Sequence, residues 1–215
     1  NAIREQKQIA LLYMDFDHFK NINDTLGHEA GDEFLTYMAG RLKACVRDFD
    51  TVARLGGDEF LIMLVEIEAR NGKESLPFEE QVRRKTEDIL SRVSKPCVIQ
   101  EIECSVTASV GIAVFPQNGD DPHVLLRNAD TAMYRAKNEG RNNYCFFTPE
   151  MQANSHRILQ LSNALHHALE NNELHLVYQP QLYSSEERVL GADASLRLQE
   201  PDFGAISPAE LIPIA

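Results

Sequence analysis

The residues Ile9 to Met14, IALLYM, form an unbroken apolar run that ends on the acidic cluster Asp15-Phe16-Asp17. A short apolar run stopped by polar residues predicts a buried strand with carboxylates at its end. From Glu29 to Cys45 the pattern changes. Phe34, Leu35, Met38, Leu42 and Cys45 recur every three or four residues, which is the period of an amphipathic helix. Two further apolar runs, Thr51 to Leu55 and Phe60 to Val65, meet across Gly56-Gly57-Asp58-Glu59. This predicts a β-hairpin, because glycine supplies the positive φ that a tight turn demands. Phe78 to Val93 is charged but helical in period, and Cys104 to Phe115 is a β-branched strand that stops at Pro116. His123 to Asn138 is a helix that turns Leu126, Ala129, Met133 and Ala136 inward, and Tyr144 to Phe147 is a last short strand. The predicted order is β-α-β-β-α-β-α-β. It gives an α+β fold, a ferredoxin-like sheet with helices on one face.

Beyond Thr148 the chain predicts a second unit. Glu150 to Glu170 reads as a long helix with Ile158, Leu161, Leu165 and Leu169 inward, and Leu174 to Leu182 as a strand the first domain does not need. The expected organisation is a first domain over residues 1–148, a linker helix over 149–172, and over 173–215 the start of a domain too short to complete its own core.

Composition narrows the chemistry. A formal net charge of −12 argues against a surface that tracks nucleic-acid phosphates, which needs clustered Lys and Arg. A polyphosphate ligand is still admissible where metal ions bridge two negative partners, so a nucleotide site here should combine carboxylates with metal. Cys45, Cys97, Cys104 and Cys145 lie far apart with no CxxC pair, and are read as reduced core residues of a cytoplasmic protein. No run approaches the roughly 20 apolar residues of a membrane span, and no leader opens the sequence; regions outside this fragment leave a membrane anchor for the parent protein open.

The carboxylates carry the candidate chemistry. Hard cations take oxygen ligands, and a hairpin beside the first strand would gather Asp15, Asp58 and Glu59 from separate segments. Glycines at 56 and 57 would let a triphosphate approach the backbone. On pattern alone, the same residues read first as a solvated acidic turn with a strand-end Asp.

RLGGDEF at Arg54 to Phe60, with DFDHFKNINDTLGHEAGD at Asp15 to Asp32, closely resembles the diguanylate cyclase (GGDEF) family, whose members carry a GG(D/E)EF turn after a DxDxFKxxND segment. ASVGIAVFP at Ala108 to Pro116 and NADTAMYRAKNEGRN at Asn128 to Asn142 match as well, so the likeness covers about residues 1 to 147. The resemblance implies a cyclase that condenses two GTP into cyclic di-GMP and pyrophosphate; since one chain supplies one base site and one carboxylate cluster, catalysis by a homodimer is expected. It also implies roles. Asp15, the Phe16 carbonyl, Asp58 and Glu59 would hold Mg²⁺ or Mn²⁺, with Asp58, Glu59 and Lys20 catalytic. Asn23 and Asp32 would read the guanine edge, a donor and acceptor set that adenine cannot satisfy. Gly56, Gly57, Lys137 and Arg141 would face the phosphates. Taken singly, Lys20, Lys137 and Arg141 read as surface cations, and Asn23 and Asp32 as cap or turn residues. Asp17 and Asp24 are assigned to structure, and His18 and His28 to packing and turns. The family's usual opening helix and DxLTGLxNR segment precede this strand and are not in the sequence. A second reading keeps the site as a non-catalytic module that binds GTP or cyclic di-GMP.

Arg47 and Asp50 form an RxxD at the spacing of the family's inhibitory product site, where Arg offers a planar fork to phosphate or base; a helix-end salt bridge is the alternative. LHLVYQP at Leu174 to Pro180, GADASLRL at Gly191 to Leu198 and ISPAELIPIA at Ile206 to Ala215 resemble the opening of an EAL phosphodiesterase domain. That family reads Glu-Ala-Leu where this chain reads Asp193-Ala194-Ser195. The carboxylate is one methylene shorter, so impaired hydrolysis is expected. Gln179 and Arg197 keep positions that contact cyclic di-GMP in that family.

Overall fold

The computed structural model describes residues 7–66, 76–171, 173–183, 188–198 and 206. They form two compact units, residues 1–152 and 153–215.

In the first unit the elements run β1 (Ile9–Phe16), α1 (Phe19–Leu26), α2 (His28–Lys43), β2 (Thr51–Gly56), β3 (Glu59–Val65), α3 (Phe78–Val93), β4 (Cys97–Ile99), β5 (Ile102–Cys104), β6 (Ala108–Phe115), α4 (Pro122–Asn138) and β7 (Tyr144–Phe146). Five strands make a mixed sheet in the order β2-β3-β1-β6-β7, with β6 and β7 parallel and the other neighbours antiparallel.

The helices do not share one face, as the periodicity suggested. Leu12, Met14, Phe60, Ile62, Val110 and Ile112 pack with Phe34, Met38 and Leu42 of α2 and Val82 and Ile89 of α3. Tyr13 and Ala113 pack on the opposite side against Leu125, Ala129, Ala132 and Met133 of α4. The reason lies in the strands. IALLYM and ASVGIAVF are apolar at both odd and even positions, so each must be covered twice. On the α4 side the fit reaches backbone contact: a methyl group at Gly111 would collide with the backbone of Ala129 and Met133.

Three other expectations change. Cys104 to Phe115 is not one strand. Cys104 ends a small β4–β5 hairpin opposite Cys97, and β6 starts at Ala108. Cys97 and Cys104, 7 positions apart in sequence, therefore face each other, both with free thiols. Gln100 and Glu101, with φ of 48° and 66°, turn this hairpin without glycine. The short helix α1 was not expected, since only Phe19 and Ile22 of its eight residues are buried. Glu59 is the first residue of β3 rather than part of the turn.

Arg41 joins α2 to the end of α3. Its guanidinium donates to the carbonyls of Arg92, Val93, Lys95 and Pro96 and lies over the Tyr37 ring, satisfying carbonyls that a helix end leaves without partners.

In the second unit α5 (Pro149–Asn171) lays Leu161, Ala164, Leu165 and Ala168 against Leu174, Leu196 and Leu198 of the hairpin β8 (Leu174–Tyr183) and β9 (Arg188–Leu198), together with Ile206. Ile158, expected inward, is exposed; Ala164 and Ala168 fill the stripe instead. The Leu169 side chain and residues 207–215 of the ISPAELIPIA segment lie outside the described residues.

Candidate active site

One end of the five-stranded sheet gathers the acidic residues. Asp15, the penultimate residue of β1, is opposite Glu59 of β3 on one side and opposite Ser109 of β6 on the other. Asp58 occupies the β2–β3 turn, and the Asp58 and Glu59 side chains are half-buried. The turn is held by Arg54, whose Nε donates to the Gly57 carbonyl at 2.8 Å. Gly57 has a φ of +50°, which favours glycine. A Cβ at Gly56 or Gly57 would meet nothing within 4 Å, so the space beside both glycines is open.

Asp15 is 8% exposed, and its Oδ1 pairs with Lys137 Nζ of α4 at 2.7 Å. Burial pushes its carboxyl above the ordinary carboxylate range. The hydrogen bond and charge of Lys137 pull it down, while the charges of Asp58 and Glu59 push it further up. The three expected carboxylates are thus within electrostatic reach of one another. Among the described residues, no three His, Cys, Asp or Glu side chains converge closely enough to hold a metal ion; the cation beside Asp15 is the Lys137 ammonium. The donors still fit a hard divalent cation, being oxygen ligands whose mutual repulsion a 2+ charge would relieve.

Two neighbours were not singled out from the sequence. Tyr13, two residues before Asp15, shares its sheet face. Its hydroxyl is raised far above its usual value, first by burial and then by a hydrogen bond to Glu59. Asp130 of α4 is raised by desolvation and by the charge of Glu59, and lowered by Lys137. The available signals were the two-residue alternation Tyr13 to Asp15 and the two-turn spacing Asp130 to Lys137.

Asp17 fastens this end of the sheet. It is 3% exposed and accepts from Thr107 Oγ1 and Ser109 Oγ, both at 2.7 Å, and from the Asn142 amide at 3.0 Å. That last bond ties down the loop after α4, in which Arg141 is exposed with a φ of +63°. The structural assignment of Asp17 therefore agrees with its contacts, and the same bonds carry Arg141 to the acidic end. Phe16 is fixed by its ring, which packs edge-on against Phe34 and Phe60.

The α1–α2 corner holds Asn23 and Asp32. A methyl at Gly31 would collide with the Asn23 amide oxygen, so the half-buried Asn23 lies against the residue before Asp32, which is exposed. Lys20 is exposed on the first turn of α1.

Arg47 and Asp50 lie in the α2–β2 connection. The expected alternative, a salt bridge between them, is not what the side chains do. Asp50 accepts from the backbone amides of Arg47 (3.0 Å) and Val65 (3.2 Å), and the exposed Arg47 lies over Phe49, 5.8 Å from the ring centroid. In the second unit Gln179 and Asp193 are register partners, as are His175 and Arg197. Gln181 Nε2 donates to Asp193 Oδ2 at 2.9 Å. Among the described residues no helix is long and apolar enough to cross a membrane.

Comparison with known proteins follows the two units. A family model described as "Diguanylate cyclase, GGDEF domain" matches residues 1–143, and one described as "EAL domain" matches residues 162–215. The chain is 42% identical over 214 residues to MucR of Pseudomonas aeruginosa, a bifunctional diguanylate cyclase/cyclic di-GMP phosphodiesterase, covering 100% of this chain and 30% of that protein. It is 38% identical over 212 residues to PdeR of Escherichia coli, a cyclic di-GMP phosphodiesterase, covering 98% of this chain and 30% of that protein. The chain thus spans about 30% of the length of these relatives. A structure of TpbB (YfiN) from Pseudomonas aeruginosa comprising only the GGDEF domain superposes with a TM-score of 0.64 at 36% identity, covering 74% of this chain and 86% of that one.

Proposed function

Because the chain belongs to the diguanylate cyclase GGDEF family, with the start of an EAL domain behind it, we propose that its first unit condenses two GTP molecules into cyclic di-GMP, releasing two pyrophosphates. In this reading residues 1–148 are the cyclase domain, 149–172 a linker helix and 173–215 the beginning of the EAL domain. The observation that carries it is the opposition of Asp15 and Glu59 across β1 and β3, with Asp58 beside them and Lys137 paired to Asp15.

Asp15, Asp58, Glu59 and the Phe16 carbonyl would hold Mg²⁺ or Mn²⁺. A divalent ion bound there would lower the pKa of the ribose 3′-hydroxyl and offset charge on the α-phosphate. The chain's own residues do the rest. Asn23 and Asp32 hold the guanine edge from the α1–α2 corner, the open space beside Gly56 and Gly57 admits the triphosphate, and Lys20, Lys137 and Arg141 offset its charge. One chain binds one guanine and activates one hydroxyl, yet the product contains two guanosines joined by two phosphodiester linkages. Two chains about a two-fold axis therefore make one working site, each orienting its nucleotide against the other's α-phosphate. Arg47 and Asp50 form the inhibitory product site. The expected setting is cytoplasmic, with no nucleic-acid partner.

A second reading, a non-catalytic module that binds GTP or cyclic di-GMP, draws on the mixed activities named for the relatives, since PdeR is named a phosphodiesterase alone. In the EAL segment Asp193 stands where the family carries Glu, and Gln179 and Arg197 keep their positions; a binding role with weak or no hydrolysis follows. Incubating the chain with GTP and Mg²⁺ and resolving nucleotides by chromatography separates the two readings: cyclic di-GMP appears in the first, whereas GTP is bound but unchanged in the second.

A further inference from the structure

The β4–β5 hairpin sets two thiols against each other. Cys97 and Cys104 are register partners across it, and directly opposite residues of an antiparallel pair turn their side chains to the same face. Here that face is the inner one. Both cysteines are buried in the same core cluster as Ile99, whereas the next pair along the hairpin, Val98 and Glu103, is exposed. The two-residue turn at Gln100 and Glu101, both at positive φ, fixes this register. Opposed residues of an antiparallel ladder lie about 4.5 or 5.5 Å apart at Cα, according to the hydrogen bonding of the pair. Both spacings fall within the roughly 4.4–6.8 Å that a disulfide spans. The Cys97 sulfur lies 3.7 Å from the Cys104 carbonyl oxygen, against the opposite strand. The other two thiols are engaged elsewhere, Cys45 on the Arg41 carbonyl and Cys145 on Glu139.

We propose that Cys97 and Cys104 are a site of reversible oxidation, at which hydrogen peroxide converts the two thiols into a disulfide across the β4–β5 hairpin. Cys104, the more exposed of the two at 9% against 4%, attacks the peroxide as thiolate. The O–O bond breaks, one oxygen stays on sulfur as a sulfenic acid, and the other leaves as water. The Cys97 sulfur then attacks the sulfenic sulfur, the S–O bond breaks, and a second water leaves. The pair of thiols gives up two electrons and two protons, and one peroxide is reduced to two waters. An external thiol reverses the change by exchange. Burial pushes the Cys97 thiol up, so the closed hairpin reacts slowly. Reaction runs through local openings of a hairpin held by three register pairs. Because the opposed positions already lie within bonding span, the bond should brace the hairpin and stabilise the folded chain.

The test treats the folded 215-residue chain with hydrogen peroxide, alkylates the remaining thiols after denaturation, and maps the peptides by mass. Peptides joined through Cys97 and Cys104 should appear, lighter by about 2 Da for the two hydrogens lost, and dithiothreitol should return both thiols. In Cys97→Ser and Cys97→Ala, Cys104 should instead stop at the sulfenic acid and take up dimedone, which wild type does not. Oxidised wild type should melt at a higher temperature than the reduced chain, and dithiothreitol should abolish the difference. The wild-type map decides even where a variant fails to fold. The proposal is overturned if Cys97 and Cys104 are both alkylated after peroxide, or if either is bridged to Cys45 or Cys145 instead. It is overturned equally by a bridge that lowers the melting temperature, since that bridge forms only in a distorted hairpin.

Discussion

Asp15 and Glu59 are direct cross-strand partners in the β1–β3 register, which sets two acids side by side at the end of the sheet. Like charges in this position repel, and a cation beside them would relieve that repulsion. Replacing Glu59 with Gln keeps the shape and removes one charge. Cyclic di-GMP formation should fall by about 10²-fold or more, the scale of a lost electrostatic contribution, while the thermal midpoint holds or rises. Unchanged turnover would remove Glu59 from the chemistry.

Asp32 is exposed. Asp32→Ala should therefore fold as wild type but weaken GTP binding by about 1–3 kcal/mol, the cost of leaving a guanine donor unpaired. Calorimetry with GTP and ATP checks both parts, and equal affinity for the two nucleotides would contradict the assigned base contact.

At the proposed product site the two residues should behave differently. Arg47 is free to meet a ligand, so Arg47→Ala should relieve inhibition by cyclic di-GMP and leave the initial rate and the stability unchanged. Asp50 holds two backbone amides, so Asp50→Ala should also lower the melting temperature. A wild-type chain indifferent to added product would defeat the assignment.

Asp17 should matter for folding first. Asp17→Ala leaves the Ser109 hydroxyl and the Asn142 amide without their acceptor, a loss of about 3 kcal/mol at the usual cost of unmade buried bonds. At this chain size that lowers the melting temperature by roughly 6–12 °C. A midpoint within a degree of wild type would show that Thr107, Ser109 and Asn142 find other partners.

The Cys145 thiol carries a pH signature. Burial and its hydrogen bond to Glu139 raise it from 9.0 to about 11. The folded chain therefore holds the neutral thiol while the unfolded chain ionises near 9. Below pH 9 the two states are alike in this respect. As pH rises from about 9 to 11 the unfolded state is favoured, so this group's contribution to stability falls across that window. Urea midpoints of wild type and Cys145→Ser should accordingly diverge above pH 9. Alkylation of native Cys145 should keep accelerating up to pH 11, and a plateau at pH 9 would show the thiol to be unperturbed.

Much of this was legible in the sequence because apolar runs and turn residues act locally. The β1, β3 and α2 segments, and the inward residues Phe34, Met38 and Leu42, follow from spacing alone, and the glycine pair marks the β2–β3 turn. What escaped depends on signals that were weak or on partners distant in the chain. The eight residues of α1 are mostly polar, and Phe19 and Ile22 gain meaning only when Phe34 is beneath them. The β4–β5 turn uses Gln100 and Glu101 where the glycine rule looks for other residues. Placing α4 opposite α2 and α3 required treating IALLYM as buried on both sides. The acids at 15, 58 and 59 could be grouped by a hairpin argument. The pairing of Asp15 with Lys137, 122 positions further along, depends on the crossover that brings α4 over β1, which no local pattern encodes.

The backbone contact at Gly111 bears on what can move at this end of the sheet. With no side chain at Gly111 to hold β6 off the Ala129 to Met133 stretch of α4, helix and strand pack closely enough there that neither shifts without displacing the other. Any parting of Lys137 from Asp15 then comes from rotation of the lysine stem. Rotations of a partly exposed side chain take picoseconds to nanoseconds, whereas shifts of whole helices take microseconds or longer. Motion at the Lys137–Asp15 pair is therefore side-chain motion on a fixed frame.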